Sequence, residues 1–227
     1  MTSNGTVMLR RMLGQSTDGS LVDRIVEDVA MQIIDGRLAP GADVNSVELA
    51  KRYSSSRTPV REALLTLQRE GLVDIPARRR PRVAPVTLDQ IRDVYEVRAS
   101  LHGLVSELIV RNAPDITVLH EFQAKLAADA ERGDVDSYFW HNVAFRQAEA
   151  EVAGNTQLAR MLSSLGLRTL QLRHVSLSLP GRLDKSVSDH DRLLRAYCDG
   201  DADLAVAITK SIIKSGLRAI ETSGWAA

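Results

Sequence analysis

Ser56-Arg57-Thr58-Pro59-Val60-Arg61-Glu62-Ala63-Leu64 is the segment from which the rest of the chain unfolds. Its spacing predicts a helix from Thr58 to Glu70 that stops at Gly71. Thr58 is placed to cap it, and Pro59 falls at the first helical position, where a missing N–H costs nothing. Val60, Ala63, Leu64 and Leu67 form one apolar stripe that must face a core. Arg57 and Arg61 are left at the polar N-terminal end.

Upstream, Val22, Ile25, Val26, Val29 and Ile33 trace a helical stripe that ends at Gly36, and Pro40-Gly41 makes a turn. Ser46 to Ala50 opens a short second helix that stops near Tyr53, followed by the polar turn Ser54-Ser55-Ser56. Downstream, Leu72 to Ile75 and Pro81 to Val86 read as two short strands, with Ala77-Arg78-Arg79-Arg80 as the tip between them. Three helices followed by a two-stranded ribbon make a winged helix-turn-helix.

Beyond Val86 the pattern is almost wholly helical. Six helices are expected, over 88–112, 115–132, 134–153, 156–178, 183–199 and 201–222, separated by Asn112-Ala113-Pro114, Gly133, Gly154-Asn155, Pro180-Gly181 and Gly200. Amphipathic helices of this length pack as an antiparallel bundle. The expected class is therefore all-α with a small β wing. Residues 1–19, rich in Ser, Thr and Gly, read as a flexible arm; 20–86 as the winged domain; 87–227 as a helical domain for effector binding and dimerisation.

Aromatic residues make up only 4% of the chain, so Leu, Val, Ile and Ala must build the core. The net charge of zero argues against a purely electrostatic nucleic-acid binder. Its distribution is more telling, because residues 1–86 carry 13 Lys/Arg against 10 Asp/Glu, with seven arginines between Arg57 and Arg82. The lone Cys198 excludes an internal disulfide. No apolar run approaches the about 20 residues that span a bilayer, and the N-terminus lacks a secretory pattern. A cytoplasmic protein with no membrane partner is expected.

Arg57 and Arg61, projecting from one helix end, suit phosphate oxygens or the O6/N7 edge of guanine. Thr58 and the helix N-terminus suit a phosphate. The arginine-rich tip suits a minor groove of negative potential. Any one of these arginines is more simply a solvated surface charge; the ordered set of turn, helix and basic wing is what points to DNA.

Residues 22–86 resemble the winged-helix domain of GntR-type transcription regulators. The resemblance lies in Ile33-Ile34-Asp35-Gly36-Arg37-Leu38-Ala39-Pro40-Gly41, Leu49-Ala50, Ser56 to Leu64 and Glu70-Gly71-Leu72-Val73. It implies that Arg57, Thr58, Pro59 and Arg61 lie at a double-stranded, pseudo-palindromic DNA operator, with Arg79 and Arg80 at the minor groove and the protein a homodimer. The family often has glycine where Arg80 aligns. From residue 88 the chain is similar to the helical FCD type of effector domain, on Val97-Arg98, Phe145 with Ala153-Gly154-Asn155, and Asp189-His190 leading into Gly200-Asp201.

Many FCD domains hold a divalent metal with one Asp and three His. The resemblance puts those positions at Asn142, Arg146, His190 and Ser211, so only His190 is retained. Asn and Ser are poor ligands for a first-row metal, and arginine puts a fixed charge where the metal should sit. No cofactor and no metal are expected. Arg98, on the stripe of Val94, Tyr95, Leu101 and Val105, faces the bundle core, where a charge is costly unless paired. It either pairs with Glu149 or another internal acid, or meets an anionic ligand. Arg146 either joins it or reaches solvent from a helix flank. The preferred reading is a small carboxylate held by Arg98 and Arg146, with Asn142, His190 and Ser211 as hydrogen-bonding walls.

These observations point to a transcription regulator acting as a repressor, its operator affinity set by that metabolite. The alternatives are the same fold with a metal-dependent effector site, or a small-molecule enzyme. Against an enzyme stand the missing Gly-rich phosphate loop and nucleophile elbow.

Overall fold

The computed structural model describes residues 3–14 and 19–224. The chain divides into two compact units: residues 3–86 together with 166–172, and residues 87–165 with 173–224.

In the first unit, α1 (Ser3–Met12) precedes α2 (Leu21–Ile34), α3 (Ser46–Arg52) and α4 (Arg57–Arg69), followed by β1 (Val73–Asp74) and β2 (Arg82–Val83). Ser20 and Asp23 form a reciprocal capping box that starts α2. Asn45 accepts from the N–H groups of Val47 and Glu48 to start α3. The apolar stripes meet as the spacing predicts: Ile25, Val26, Val29 and Ile33 of α2 are fully buried, as are Val60, Ala63 and Leu67 of α4. Asp28 ties α2 to the end of α3 through the Tyr53 hydroxyl at 2.7 Å and Arg52 at 3.1 Å.

Three expectations for this unit are corrected. Residues 3–12 of the expected flexible arm form a helix, because Leu9 is buried completely and the Arg10 guanidinium donates to both carboxylate oxygens of Glu27 on α2. Positions 1–2 and 15–18 of that arm lie outside the described residues. The strands are shorter than 72–75 and 81–86, since Pro76, Pro81 and Pro85 withhold the N–H groups that longer ladders need. In compensation the 41–44 segment lines the other edge of β2, with Val83 donating to Ala42 and Val44 to Pro81. Finally, α4 starts at Arg57 rather than after Thr58: Ser56 takes the extended cap conformation, which leaves Thr58 and Pro59 inside the first turn.

After Val86 come α5 (Leu88–Asn112), α6 (Thr117–Glu131), α7 (Val135–Val152), α8 (Thr156–Ser164), α9 (Arg168–Ser178), α10 (Arg182–Cys198) and α11 (Ala202–Ser223), all in the second unit except residues 168–172 of α9, which belong to the first. Side-chain caps from Thr87, Asp134, Asn155 and Asp201 start four of them. Among the described residues, the stretch after Val86 therefore has seven helices and not six. The helix expected over 156–178 breaks at Gly166, which adopts a left-handed φ of 72° that an ordinary residue resists. α5 packs along α11, α6 along α7, and α10 against both α6 and α11. Tyr138, Phe139, Phe145, Leu119, Leu126 and Leu193 fill the core.

Candidate functional site

The first unit presents a basic surface. Arg57, Thr58 and Arg61 are exposed on the opening turns of α4, with Pro59 half-buried between them. Neither arginine has an ion-pair partner among the described residues, so both are available to an external anion. The Ser56 side chain makes no capping hydrogen bond. Pro59 has no N–H to give, so the backbone N–H groups of Arg57 and Thr58 stand open at the positive end of the helix. Such an end suits phosphate.

At the wing tip Arg78, Arg79 and Arg80 are all exposed. The left-handed turn residue is Arg78, at φ 60°, and not Arg80, the position at which the family's glycine aligns. The strain of the tip thus falls two residues earlier. Arg80 lies 3.7 Å from Asp43, an exposed pair of little energetic weight, and Arg79 has no ion pair among the described residues.

The second unit holds a cavity of about 50 Å³. Arg98 from α5, Asn142 and Arg146 from α7, Arg173 from α9 and Arg182 from α10 supply its polar wall. Tyr95, Leu177, Ile212, Ile213 and the bare backbone of Gly216 supply the apolar one. Arg98 and Arg146 are buried, each 6% exposed. Among the described residues, Glu149 is the single carboxylate within ion-pair distance of these guanidiniums, and it pairs with Arg146 at 2.8 Å. Its other oxygen accepts from the Tyr197 hydroxyl at 2.9 Å, and Ser106 links Tyr197 to Thr209 behind it. Arg98 lies over the Tyr95 ring, 4.9 Å from its centre. Arg173 donates to the Asn142 amide oxygen at 2.7 Å.

The electrostatics follow from this excess of positive charge. Burial, with Arg98 and Arg146 next in effect, pushes the Arg173 guanidinium down to about 9. Burial lowers Arg98 as well, with Arg146 adding to it. Burial pushes Tyr197 well up, and the Glu149 charge reinforces the shift.

Two expected wall residues do not line the cavity. His190 is wholly buried behind Arg146, stacked on Phe145 at 4.6 Å, with Nε2 3.4 Å from the guanidinium. Ser211 is exposed on the outer side of α11, because the inward stripe of that helix runs through Ile208, Ile213, Gly216 and Ile220. Of the anticipated set, the structure gathers Arg98, Asn142 and Arg146. Of the two alternatives for Arg98, pairing with Glu149 is not realised, and Arg146 does not reach solvent. Arg173 and Arg182 were missed. Arg173 sits on a helix with almost no amphipathic pattern, and nothing in its neighbours marks an inward position.

These residues do not fit a divalent metal. The amide oxygen of Asn142 is engaged by a cation, Arg146 stands beside His190, and Ser211 is turned away. No group of three or more His, Cys, Asp or Glu with metal-binding geometry occurs among the described residues.

His190 and His102 are held well below the ordinary histidine range, by burial first and then by Arg146 and its companion arginines. Each has an Nδ1 atom with no hydrogen-bond partner. Both are neutral when folded, whereas the unfolded side chains take up protons near about pH 6.5. The unfolded state therefore binds more protons below that pH. The histidines cost no stability above it and progressively more as pH falls towards about 5, by up to about 1.4 kcal/mol per pH unit each. Thermal unfolding between these limits should show the slope, and the His102→Gln/His190→Gln variant should flatten it. A slope unchanged in that variant would place its origin elsewhere.

With both surfaces described, comparison with known proteins places the chain. Residues 21–83 match the family of bacterial regulatory proteins of the gntR type, and residues 93–215 match the FCD domain. The chain belongs to the GntR family of transcription regulators, in the group that carries an FCD domain. It is similar to a probable D-xylose utilization operon transcriptional repressor of Paenarthrobacter nicotinovorans, 27% identical over 83% of this chain and 84% of the relative. It is similar to the gluconate operon transcriptional repressor of Bacillus licheniformis, 25% identical over 75% of this chain and 70% of the relative. The solved structure of E. coli McbR/YncC superposes with a TM-score of 0.74 at 25% identity, covering 90% of this chain and 98% of that one. The protein is thus a DNA-binding transcription regulator and not an enzyme. No helix among the described residues is long and apolar enough to cross a membrane.

Proposed function

We propose that this regulator is a cytoplasmic repressor whose hold on its operator is set by a small carboxylate bound, without metal, in the α5–α11 bundle. The observation that carries this reading is the cavity where Arg98, Arg146 and Arg173 meet with Glu149 as their one paired carboxylate. Guanidiniums in such a setting are costly unless an anion joins them, and arginine's planar fork matches a carboxylate with two parallel hydrogen bonds. A metal is not needed to supply positive charge there. Relatives named as operon repressors support the sign of regulation.

On the DNA side, a homodimer sets two α4 helices on a pseudo-palindromic operator. Arg57 and Arg61 meet base edges or phosphates, Thr58 and Pro59 present the open helix end to the backbone, and Arg79 and Arg80 reach the minor groove. A carboxylate that binds one arrangement of the dimer more tightly than the other shifts operator affinity by that difference and by nothing else.

The test is an operator gel shift, at fixed ionic strength, with a panel of small carboxylates and with divalent metals. A carboxylate should release the operator from metal-free protein, and Arg98→Met should keep operator binding while losing that release. Release that requires a metal would replace this reading with the metal-dependent one, and release that survives in Arg98→Met would remove the cavity as the effector site.

A further inference from the structure

We infer that the effector is a small dianion, bearing two carboxylates or a phosphoryl group, held between Arg98 and Arg173. This rests on the cavity being the effector site and adds the charge of what enters it.

The inference comes from where each counter-charge is already engaged. Glu149 gives one oxygen to Arg146 at 2.8 Å and the other to the Tyr197 hydroxyl at 2.9 Å. Both of its oxygens are used, and Arg146 is already neutralised. Arg98 and Arg173 have only neutral partners, the Tyr95 ring and the Asn142 amide oxygen. Two guanidiniums without an ion-pair partner among the described residues thus line one small cavity. A monoanion leaves one of them unpaired, whereas a dianion neutralises both. Arg182 adds a third cation, with one nitrogen on the Ser215 hydroxyl at 2.9 Å and its buried Nε unpartnered. A space of about 50 Å³ with Leu177, Ile212 and Ile213 on its apolar wall suits a compact molecule. Ser176 and Ser186 stand on the same wall as neutral hydrogen-bond donors for the remaining oxygens.

The same arrangement has a cost in the empty protein. Burial first, and then the charges of Arg98 and Arg146, lower the hold of Arg173 on its proton. Buried or partly buried like charges without partners destabilise the fold, and removing one relieves it. Binding sites commonly trade stability for function in this way.

The experiment uses the full chain, with calorimetric titration and thermal unfolding at constant ionic strength. The probes are malonate and inorganic phosphate as dianions, and acetate and propionate as monoanions. At least one dianion is expected to bind tenfold or more tighter than acetate. Malonate alone binding tightly makes the effector a dicarboxylate, and phosphate alone makes it a phosphate ester; either supports the inference. Acetate binding within threefold of both dianions overturns it while leaving the carboxylate reading of the cavity intact. No binding by any of the four overturns both.

Arg173→Met should bring the dianions to within threefold of acetate and raise the unfolding temperature of the ligand-free protein. Arg173→Lys, which keeps the charge but not the fork, should retain part of the preference. A full tenfold preference in Arg173→Met overturns the proposal. Should that variant not fold, the wild-type comparison of malonate, phosphate and acetate decides alone.

Discussion

Replacing Glu149 with alanine is expected to destabilise the helical unit by about 3–5 kcal/mol, the range for breaking a buried ion pair on one side only. Glu149 is 1% exposed and lies on α7 one turn beyond Arg146. Its removal leaves Arg146 buried without a counter-charge, beside Arg98 and Arg173, which have none either. It also takes from the Tyr197 hydroxyl its carboxylate acceptor, at the head of the Tyr197–Ser106–Thr209 chain. Both losses fall on buried groups, so the penalty is that of orphaned groups and not of one missing bond. Urea unfolding of Glu149→Ala and Glu149→Gln measures it. The glutamine variant keeps an acceptor for Tyr197, so it separates the hydrogen bond from the charge and should fall between wild type and alanine. A loss below about 1 kcal/mol in Glu149→Ala, the scale of an exposed pair, would mean that solvent reaches Arg146 and that the site is not enclosed.

Arg61→Ala is expected to weaken operator binding by about 1–3 kcal/mol, a factor of about 5 to 150, while leaving thermal stability unchanged. The two halves of this expectation have one cause. Arg61 is exposed in the first turns of α4 and holds no ion pair among the described residues, so the fold loses little when it goes. Whatever it contributes is made only with DNA. Arg79 at the wing tip makes a useful contrast: loss of a phosphate or groove-charge contact weakens all sequences alike and reduces the salt dependence, whereas loss of a base contact relaxes sequence preference. Gel shifts against operator and scrambled DNA at two salt concentrations separate these effects. Unchanged operator affinity in Arg61→Ala would take the residue out of the interface.

Much of the winged unit was legible because its signals are local. The stripe of Val60, Ala63, Leu64 and Leu67 can be buried only if residues 57–69 are helical, and the spacing says so without reference to any other part of the chain. The same holds for α5, whose end at Asn112 follows from Asn112-Ala113-Pro114, while its start at Leu88 is held in the structure by the Thr87 capping box. Where local signals compete, the reading slipped. Thr58 before Pro59 looks like a cap because proline usually pushes its neighbour out of the helical region, but Ser56 holds the cap conformation instead. The N-terminal helix was missed because Ser, Thr and Gly suggest a loose segment, whereas Leu9 and the Arg10–Glu27 pair give that segment something to pack against.

The cavity divides along the same line. Sequence placed Arg98 inward, since a stripe through Tyr95 and Val105 leaves it no other side. It misplaced Ser211, although the period of Ile208, Ile213, Gly216 and Ile220 carried the correct answer. It was silent on Arg173, which comes from a helix with no clear inward face, and it offered Arg98 as the partner of Glu149 where the structure has Arg146. By itself, then, the sequence determined the winged helix-turn-helix, the helical bundle and the basic surface from Arg57 to Arg80. Helix period, capping and turn chemistry are properties of neighbours in the chain. Only the tertiary structure decided that Glu149 neutralises Arg146 and leaves Arg98 and Arg173 facing one space, because that depends on side chains from α5, α7 and α9 meeting across distances that no local pattern records.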